Sequence, residues 1–320
     1  MNIITSAKPR LPVYYFQIEF TLTSPLQIPR YPGSAWRGAL GHALKRTVCV
    51  VRNTACNDCL LKNNCAYTYI FETPPPPNSS KMRKYTAAPH PFVLQFQPQS
   101  LSTTHHYRLG LTLFGKGHHY LPYLIHALKK AGLDGIGAHR QVFELHHVKQ
   151  LSQTGDSKIV YQHDQLAPLM TESDITIPPM PDNITLNIHT PMRIKHKNHY
   201  LTPQTFNFSG FFSNLIRRIS MLMFFHTDTQ LETDFTGLTQ HAKNLDFKNR
   251  DLHWFDWQRY SSRQKTRMNM GGVIGTLELD MQNKEAFWPY LWLGQWVHVG
   301  KATSMGLGHY SIDMTSLSTP

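Results

Sequence analysis

An internal duplication governs the reading of this chain. Tyr14–Leu22 reads as a strand and is followed by Ser24-Pro25-Leu26-Gln27-Ile28, then by a helix over Trp36–Val48. Much later, Ile184–Ile188 reads as a strand and is followed by Thr190-Pro191-Met192-Arg193-Ile194, then by a helix over Gln204–His226. The far ends echo each other as well. Tyr120-Leu121-Pro122-Tyr123-Leu124 leads to Gly135-Ile136-Gly137 and the strand Gln141–Val148, while Phe287-Trp288-Pro289-Tyr290-Leu291 leads to Gly306-Leu307-Gly308 and the strand His309–Met314. Matches in the same order carry more weight than any one short match. Two units also suit 320 residues at about 150 per domain.

Within each unit the order is strand, helix, strands, helix, strand. The first has Tyr107–Leu113 as a middle strand and His118–Ala131 as its second helix; the other has Val273–Asp280 and Lys284–Gly294. This is the β-α-β-β-α-β pattern of ferredoxin-like, RRM-like folds. The expected architecture is α+β, with tandem ferredoxin-like domains over 1–181 and 182–320. The link falls in Ser152–Pro181, which holds a strand-like Ile159–Tyr161 and ends in Pro178-Pro179-Met180-Pro181. Thr73–Ser80, with four consecutive prolines before Lys81, Arg83 and Lys84, reads as a solvated excursion.

All four cysteines fall in one short insertion, Cys49-x6-Cys56-x2-Cys59-x5-Cys65. A disulfide framework spreads its cysteines to staple distant segments, and this chain does not. Four thiolates so close in sequence suit one tetrahedral metal ion, with Cys56-Asn57-Asp58-Cys59 as the knuckle. Zinc is the default, and an iron–sulfur cluster uses the same ligands. Four protein ligands leave no position for water, so such a metal is structural rather than catalytic.

Composition narrows the partners. Charged residues are only 16%, but 32 are basic and 20 acidic, a net +12, with 19 histidines besides. Hydrophobic residues at 41% and aromatics at 12% are enough for real cores and exclude bulk disorder. A basic excess favours a polyanion, nucleic acid or acidic membrane. Met1–Phe20 is broken by Lys8, Pro9, Arg10, Pro12, Gln17 and Glu19, unlike a signal peptide. The strongest apolar stretch, Ile219–Phe225, is far short of the ~20 residues that span a bilayer. The expectation is a soluble cytoplasmic protein with a nucleic-acid partner and no membrane.

The first helix is the richest segment. Ser34 is placed to cap it. Trp36, Ala39, Leu40, Ala43 and Leu44 share one face, and Arg37, Gly38, Gly41, His42, Lys45 and Arg46 make up the rest. Each helical glycine costs roughly 1 kcal/mol relative to alanine, so close approach by another chain, protein or RNA, is the expected return. Gly38 lies one turn before His42, with Lys45 and Arg46 one turn after. A histidine among cations suits phosphodiester chemistry, because imidazole moves a proton near neutral pH and cations offset charge building on phosphate.

The other histidines are thinned by geometry. Neighbours on a strand point to opposite faces, so His105-His106 and His146-His147 are not expected to converge on one ligand. His118-His119 open a helix, and His196 and His199 lie in a basic loop with Lys195 and Lys197. His298 and His309 flank Gly300-Lys301-Ala302-Thr303-Ser304-Met305-Gly306-Leu307-Gly308. Its glycines let a backbone pass close to phosphates and present N–H groups, and Lys301 adds charge. It lacks the Gly-Lys-Ser/Thr order of a P-loop. The segment Arg259–Arg267 holds four cations and no acid; as one strand it would align Arg263, Lys265 and Arg267 as a rail for a nucleic-acid backbone. Arg217-Arg218 are placed to support the same surface.

Four stretches resemble the CRISPR-associated RAMP-superfamily endoribonuclease that processes precursor CRISPR RNA. They are Trp36–Leu44, the cysteine cluster running into Tyr67–Glu72, Arg259–Gly275, and His298–Tyr310, whose Gly300-x5-Gly306-x-Gly308 is similar to the family's C-terminal signature. The resemblance implies metal-independent cleavage of repeat RNA by the ribose 2′-hydroxyl, leaving a 2′,3′-cyclic phosphate and a 5′-hydroxyl, to yield crRNA. It places His42 as general acid or base and Arg37, Lys45 and Arg46 at phosphate. Arg259, Arg263, Lys265, Arg267, Gly300, Lys301, Gly306, Gly308 and His309 become RNA grips. It implies CRISPR effector subunits as further partners. Two alternatives stand beside it: a non-catalytic RAMP subunit that binds crRNA within an effector complex, and a basic iron–sulfur protein.

Overall fold

The computed structural model describes residues 8–24, 31–75, 79, 88–96, 105–171, 174–261 and 266–315. Two compact units emerge: Leu11–Asp174 with Met221–Asp228, and one built mainly of Ile175–Ser220 and Thr229–Pro320.

The first unit runs β1 (Val13–Leu22), α1 (Gly33–Val48), β2 (Phe92–Phe96), β3 (His106–Phe114), α2 (Leu121–Asp134) and β4 (Phe143–Leu151). A hairpin of β5 (Ser157–Gln162) and β6 (Gln165–Leu166) follows. The antiparallel sheet has the order β2-β3-β1-β4-β5-β6. Alternation along β1 explains its two faces. Phe16, Ile18, Phe20 and Leu22 are buried in a core with Trp36, Leu40, Leu124 and Leu128. Tyr15, Gln17, Glu19 and Thr21 take the other face. Trp36 anchors α1 by stacking on Phe20 (4.9 Å) and Tyr107 (5.1 Å).

The second unit runs β7 (Asn183–Met192), a small hairpin β8 (Lys195–His196) and β9 (His199–Tyr200), then α3 (Phe208–His226) and α4 (Phe235–His241). After these come β10 (Asn249–Phe255), the hairpin β11 (Gln258–Ser261) and β12 (Thr266–Asn269), β13 (Gly272–Asp280), α5 (Trp288–Val297) and β14 (Tyr310–Thr315). Its four-stranded sheet is β10-β13-β7-β14. That is the order of β2-β3-β1-β4 in the first unit, so the duplication read from the sequence is a duplication of topology. Ile184, Leu186 and Ile188 of β7 and Phe208, Phe211, Phe212 and Leu215 of α3 are all buried.

Several local expectations are corrected. Helix α1 begins at Gly33 with Pro32 at its N-cap and no side-chain cap; the Trp36 N–H bonds to Pro32 O at 3.0 Å, so Ser34 lies inside the first turn. His118 and His119 sit in a 3₁₀ turn, Gly115–Tyr120, ahead of α2. Helix α5 starts at Trp288 rather than Lys284, with Pro289 in its first turn, where proline is favoured. Residues 157–166, expected within the link, extend the first sheet. Strands β2 and β10 had no clear sequence signal. Among the described residues no helix is long and apolar enough to cross a membrane.

Candidate active site

Helix α1 buries Trp36, Leu40, Ala43 and Leu44 and exposes His42, Lys45 and Arg46. Its two glycines divide the work that the sequence assigned to both. A Cβ on Gly41 would lie 2.9 Å from Phe71 Cε1, so Gly41 admits the chain's own π-turn, Thr68–Glu72. A Cβ on Gly38 would meet nothing within 4 Å. The surface beside His42 is therefore open at Gly38.

The cations differ from one another. Arg37 is half-buried with its guanidinium 5.1 Å from the Phe71 ring centre, and Nη2 donates to His90 Nε2 at 3.1 Å. Because His90 Nε2 accepts there, its Nδ1 carries the hydrogen and donates to Thr73 Oγ1 at 2.9 Å. Arg37 is thus held, five residues before His42, by a defined relay through His90, a residue that no sequence motif marks. Lys45 lies over Tyr67 at 5.4 Å. Arg46 forms an ion pair with Asp134, which spends much of its charge locally. Helix α1 thus presents an exposed imidazole, His42, with the exposed cation Lys45 one turn on along the same side, while Arg37 is anchored five residues earlier and about 140° around the helix. An imidazole of this kind can move a proton to or from a hydroxyl, and a neighbouring cation can offset charge on a phosphate.

The glycine-rich loop is built differently from a phosphate nest. Val299 N–H bonds to Gly308 O, Lys301 N–H to Arg193 O and Gly308 N–H to Pro191 O. His309 N–H bonds to Thr190 Oγ1, and Thr190 Oγ1 donates to Gly306 O at 2.8 Å. The loop is clasped to the end of β7. Gly300 (φ +97°) and Gly308 (φ +71°) let its backbone touch Arg193 and Val299, where a Cβ would stand 2.5 and 1.8 Å from their carbonyl oxygens. Gly306 also has positive φ. So the N–H groups of Lys301, Gly308 and His309 are committed to the chain, and the Lys301 side chain is exposed.

The histidines around this loop are structural. His298 is fully buried, with Nδ1 3.2 Å from Leu307 O. It stacks on His309 at 4.8 Å, and His309 lies 5.1 Å from His189. Burial, with His189 adding, pushes His309 down to about 4; burial, then His309 and Arg218, drives His298 well below its ordinary value. His309 is therefore neutral near pH 7 and supplies no cation to RNA. Arg218 Nε donates to Val297 O at 2.6 Å, capping the C-terminal end of α5 from inside the fold. It is not part of an exposed basic surface.

The single-strand rail is also corrected. Arg259 lies on β11 and Arg267 on β12, antiparallel partners in a hairpin with Tyr260 opposite Arg267. Arg263 and Lys265 lie outside the described residues. Arg259 is half-buried with Nη2 3.4 Å from Met268 Sδ.

Cys49, Cys56, Cys59 and Cys65 are free, half-buried thiols in one excursion. Val50 and Leu60 there are 77% and 99% exposed, so the excursion has little core of its own. Among the described residues no three of the sulfurs lie within 4.8 Å of one another. The donor set suits zinc, while the thiols as they stand are not gathered on a common point.

The doublet His146-His147 does converge, against expectation. The β1–β4 register shifts between Glu19, which pairs with His147, and Phe20, which pairs with Leu145. His146 is the extra residue of a β-bulge, so simple alternation fails there.

Residues 186–310 match the family model of the CRISPR-associated endoribonuclease Cas6, and residues 11–173 match AF_1859_N, described as an N-terminal domain. A Cas6 product complex shares the fold at 16% identity and TM-score 0.58, over 94% of this chain and 99% of that one. A Thermus thermophilus Cas6 does so at 16% and 0.54, over 95% and 99%. A partial Cas6-RT-Cas1–Cas2 complex matches at 14% and 0.55, over 99% of this chain and 48% of that one. An Archaeoglobus fulgidus protein, described only as an uncharacterized protein, is 27% identical over 111 residues, 35% of this chain and 37% of that relative's length. Residues 186–310 thus carry a CRISPR-associated Cas6 endoribonuclease domain, residues 11–173 belong to the AF_1859_N family of N-terminal domains, and the tandem ferredoxin-like fold is shared with Cas6 structures along nearly the whole chain.

Proposed function

We propose that this protein cuts CRISPR repeat RNA within precursor transcripts to release crRNA, without a catalytic metal. The observation that carries the proposal is His42, exposed on α1 between the open surface at Gly38 and the cation Lys45. In this reading the ribose 2′-hydroxyl at the cut attacks the adjacent phosphorus. His42 moves one of the two protons, either taking it from the 2′-hydroxyl or giving it to the leaving 5′-oxygen. Lys45 and Arg37 offset charge on the phosphoryl oxygens. The products are a 2′,3′-cyclic phosphate and a 5′-hydroxyl. Lys301, Arg259, Arg263, Lys265 and Arg267 are proposed to hold the RNA, and other CRISPR proteins to receive the product.

The test is incubation of the protein with repeat RNA in EDTA, with the product ends identified chemically. Cyclic phosphate and 5′-hydroxyl ends at one position are expected. Tight binding with no cleavage would favour the alternative, a crRNA-binding subunit.

The four cysteines are proposed to hold a structural zinc ion that draws the thiols together and replaces the core their excursion lacks. Metal analysis of protein purified without chelator should find one zinc lost when Cys56 and Cys59 are changed to Ser. Bound iron with visible colour would instead mean an iron–sulfur cluster.

A further inference from the structure

The face of the first sheet opposite its helices carries a cluster that the proposed cleavage mechanism does not include. Glu19 on β1 is flanked in register by Arg108 on β3 and His147 on β4. The bulge adds His146 to the same side, with its Nδ1 2.7 Å from His147 Nδ1. One ring nitrogen from each histidine and one Glu19 oxygen lie within 4.8 Å of one another. Among the described residues no other group of three histidine, cysteine, aspartate or glutamate side chains closes to that degree.

Two imidazoles and a carboxylate form the donor set of borderline divalent ions, and three protein ligands leave a position open. Nitrogens bound at 2.0–2.1 Å to one tetrahedral ion stand about 3.3 Å apart. The His146–His147 pair needs to open by only several tenths of an ångström. The carboxylate is already oriented: Arg108 Nε donates to Oε2 at 3.2 Å, while Oε1 lies 3.4 Å from His106 Nδ1. This is how an outer-shell partner fixes a metal-binding carboxylate. His147 is 7% exposed and His146 is open to solvent, so an ion has both a sheltered seat and a way in.

We propose that Glu19, His146 and His147 bind a borderline divalent transition ion such as Zn²⁺, with His106 at the edge of the site and one position open. This site is separate from the cysteine excursion and stands whether or not the chain cuts RNA.

Cobalt distinguishes the two sites, since thiolate ligation produces intense sulfur-to-cobalt charge-transfer absorption and imidazole–carboxylate ligation only weak d–d bands. The full-length protein is titrated with Co²⁺ alongside His146→Ala and Glu19→Gln. The wild type should take up one equivalent marked by d–d bands without charge transfer. Either substitution should weaken that equivalent at least tenfold and leave any charge-transfer signal intact; that signal and an unchanged circular dichroism spectrum show that the fold survives. A wild type with no such equivalent, or a His146→Ala protein that binds it equally well, overturns the proposal. Weakened RNA binding by His146→Ala with no Co²⁺ uptake by the wild type would make the cluster a phosphate contact and overturn it as well.

Discussion

Replacing Gly38 and Gly41 separately by alanine should affect stability differently, with a gain at Gly38 and none at Gly41, although both lie on the same helix. Helix propensity favours alanine over glycine by about 1 kcal/mol at each site. At Gly38 nothing offsets that gain, because the new Cβ meets no atom within 4 Å. At Gly41 the Cβ would lie 2.9, 3.2 and 3.4 Å from three atoms of the Phe71 ring. That ring is wedged against Phe92 at 5.3 Å and carries the Arg37 guanidinium. Overpacking of this kind costs about 1–3 kcal/mol, so Gly41→Ala should be neutral to about 2 kcal/mol destabilised. Gly38→Ala should gain about 1 kcal/mol, a rise of about 2–4 °C in the melting temperature of a unit this size. Thermal melts followed by circular dichroism measure both. If Gly38→Ala melts lower than the wild type, or both variants shift alike, the assignment of one glycine to packing and the other to an open surface is wrong. The functional corollary is that the stabilised Gly38→Ala protein cuts or binds RNA less well, because the methyl group occupies the approach to His42.

Three further expectations follow. Gly308→Ala combines a φ of +71° with a Cβ 1.8 Å from Val299 O, so it should unclasp the loop from β7 and cost several kcal/mol; native-like melting would refute the clasp. His309 titrates at about 4 in the fold against an ordinary 6.5. The unfolded chain therefore binds the proton first, so the stability that neutral His309 contributes is whole above pH 6.5 and falls by about 1.4 kcal/mol per pH unit toward pH 4. Melts from pH 7.5 to 4.5 should show a shallower loss in His309→Gln than in the wild type, and equal slopes would contradict the burial argument. In RNA binding, each phosphate neutralised on a single strand adds about 0.7 to the salt slope. Lys45→Ala should lower the slope by about that much and Arg46→Ala by much less, since Asp134 already pairs with Arg46; equal effects would refute that distinction.

The sequence carried the topology well, because it follows from hydrophobic alternation and from order. The strand-helix pattern of both units and the core face of α1 from Trp36 to Leu44 were readable from residue spacing. What spacing cannot convey is departure from regular geometry. His146 and His147 were read as pointing apart because a strand alternates, and the one-residue bulge against Glu19 is invisible without its partner strand. The glycine-rich loop was read as a phosphate nest because glycine permits close approach. Glycine does not say to what, and here the neighbour is β7. The basic run from Arg259 to Arg267 reads as one strand because nothing in its composition shows that Arg259 and Arg267 belong to two antiparallel strands. Arg218 looked like surface charge beside Arg217, but it faces inward to cap α5. His90 lay outside any motif; its role depends on contacts with Arg37 and Thr73 that no local pattern encodes.

The central claim is that His42 moves a proton in metal-independent cleavage. Single-turnover cleavage of repeat RNA in EDTA by the wild type and His42→Ala, with binding measured on the same RNA, tests it most directly. The account predicts cleavage at one site by the wild type and a rate lower by 10²–10⁴-fold in the variant, with RNA affinity changed little. Cleavage by His42→Ala at the wild-type rate would contradict it and place the proton transfer on another side chain.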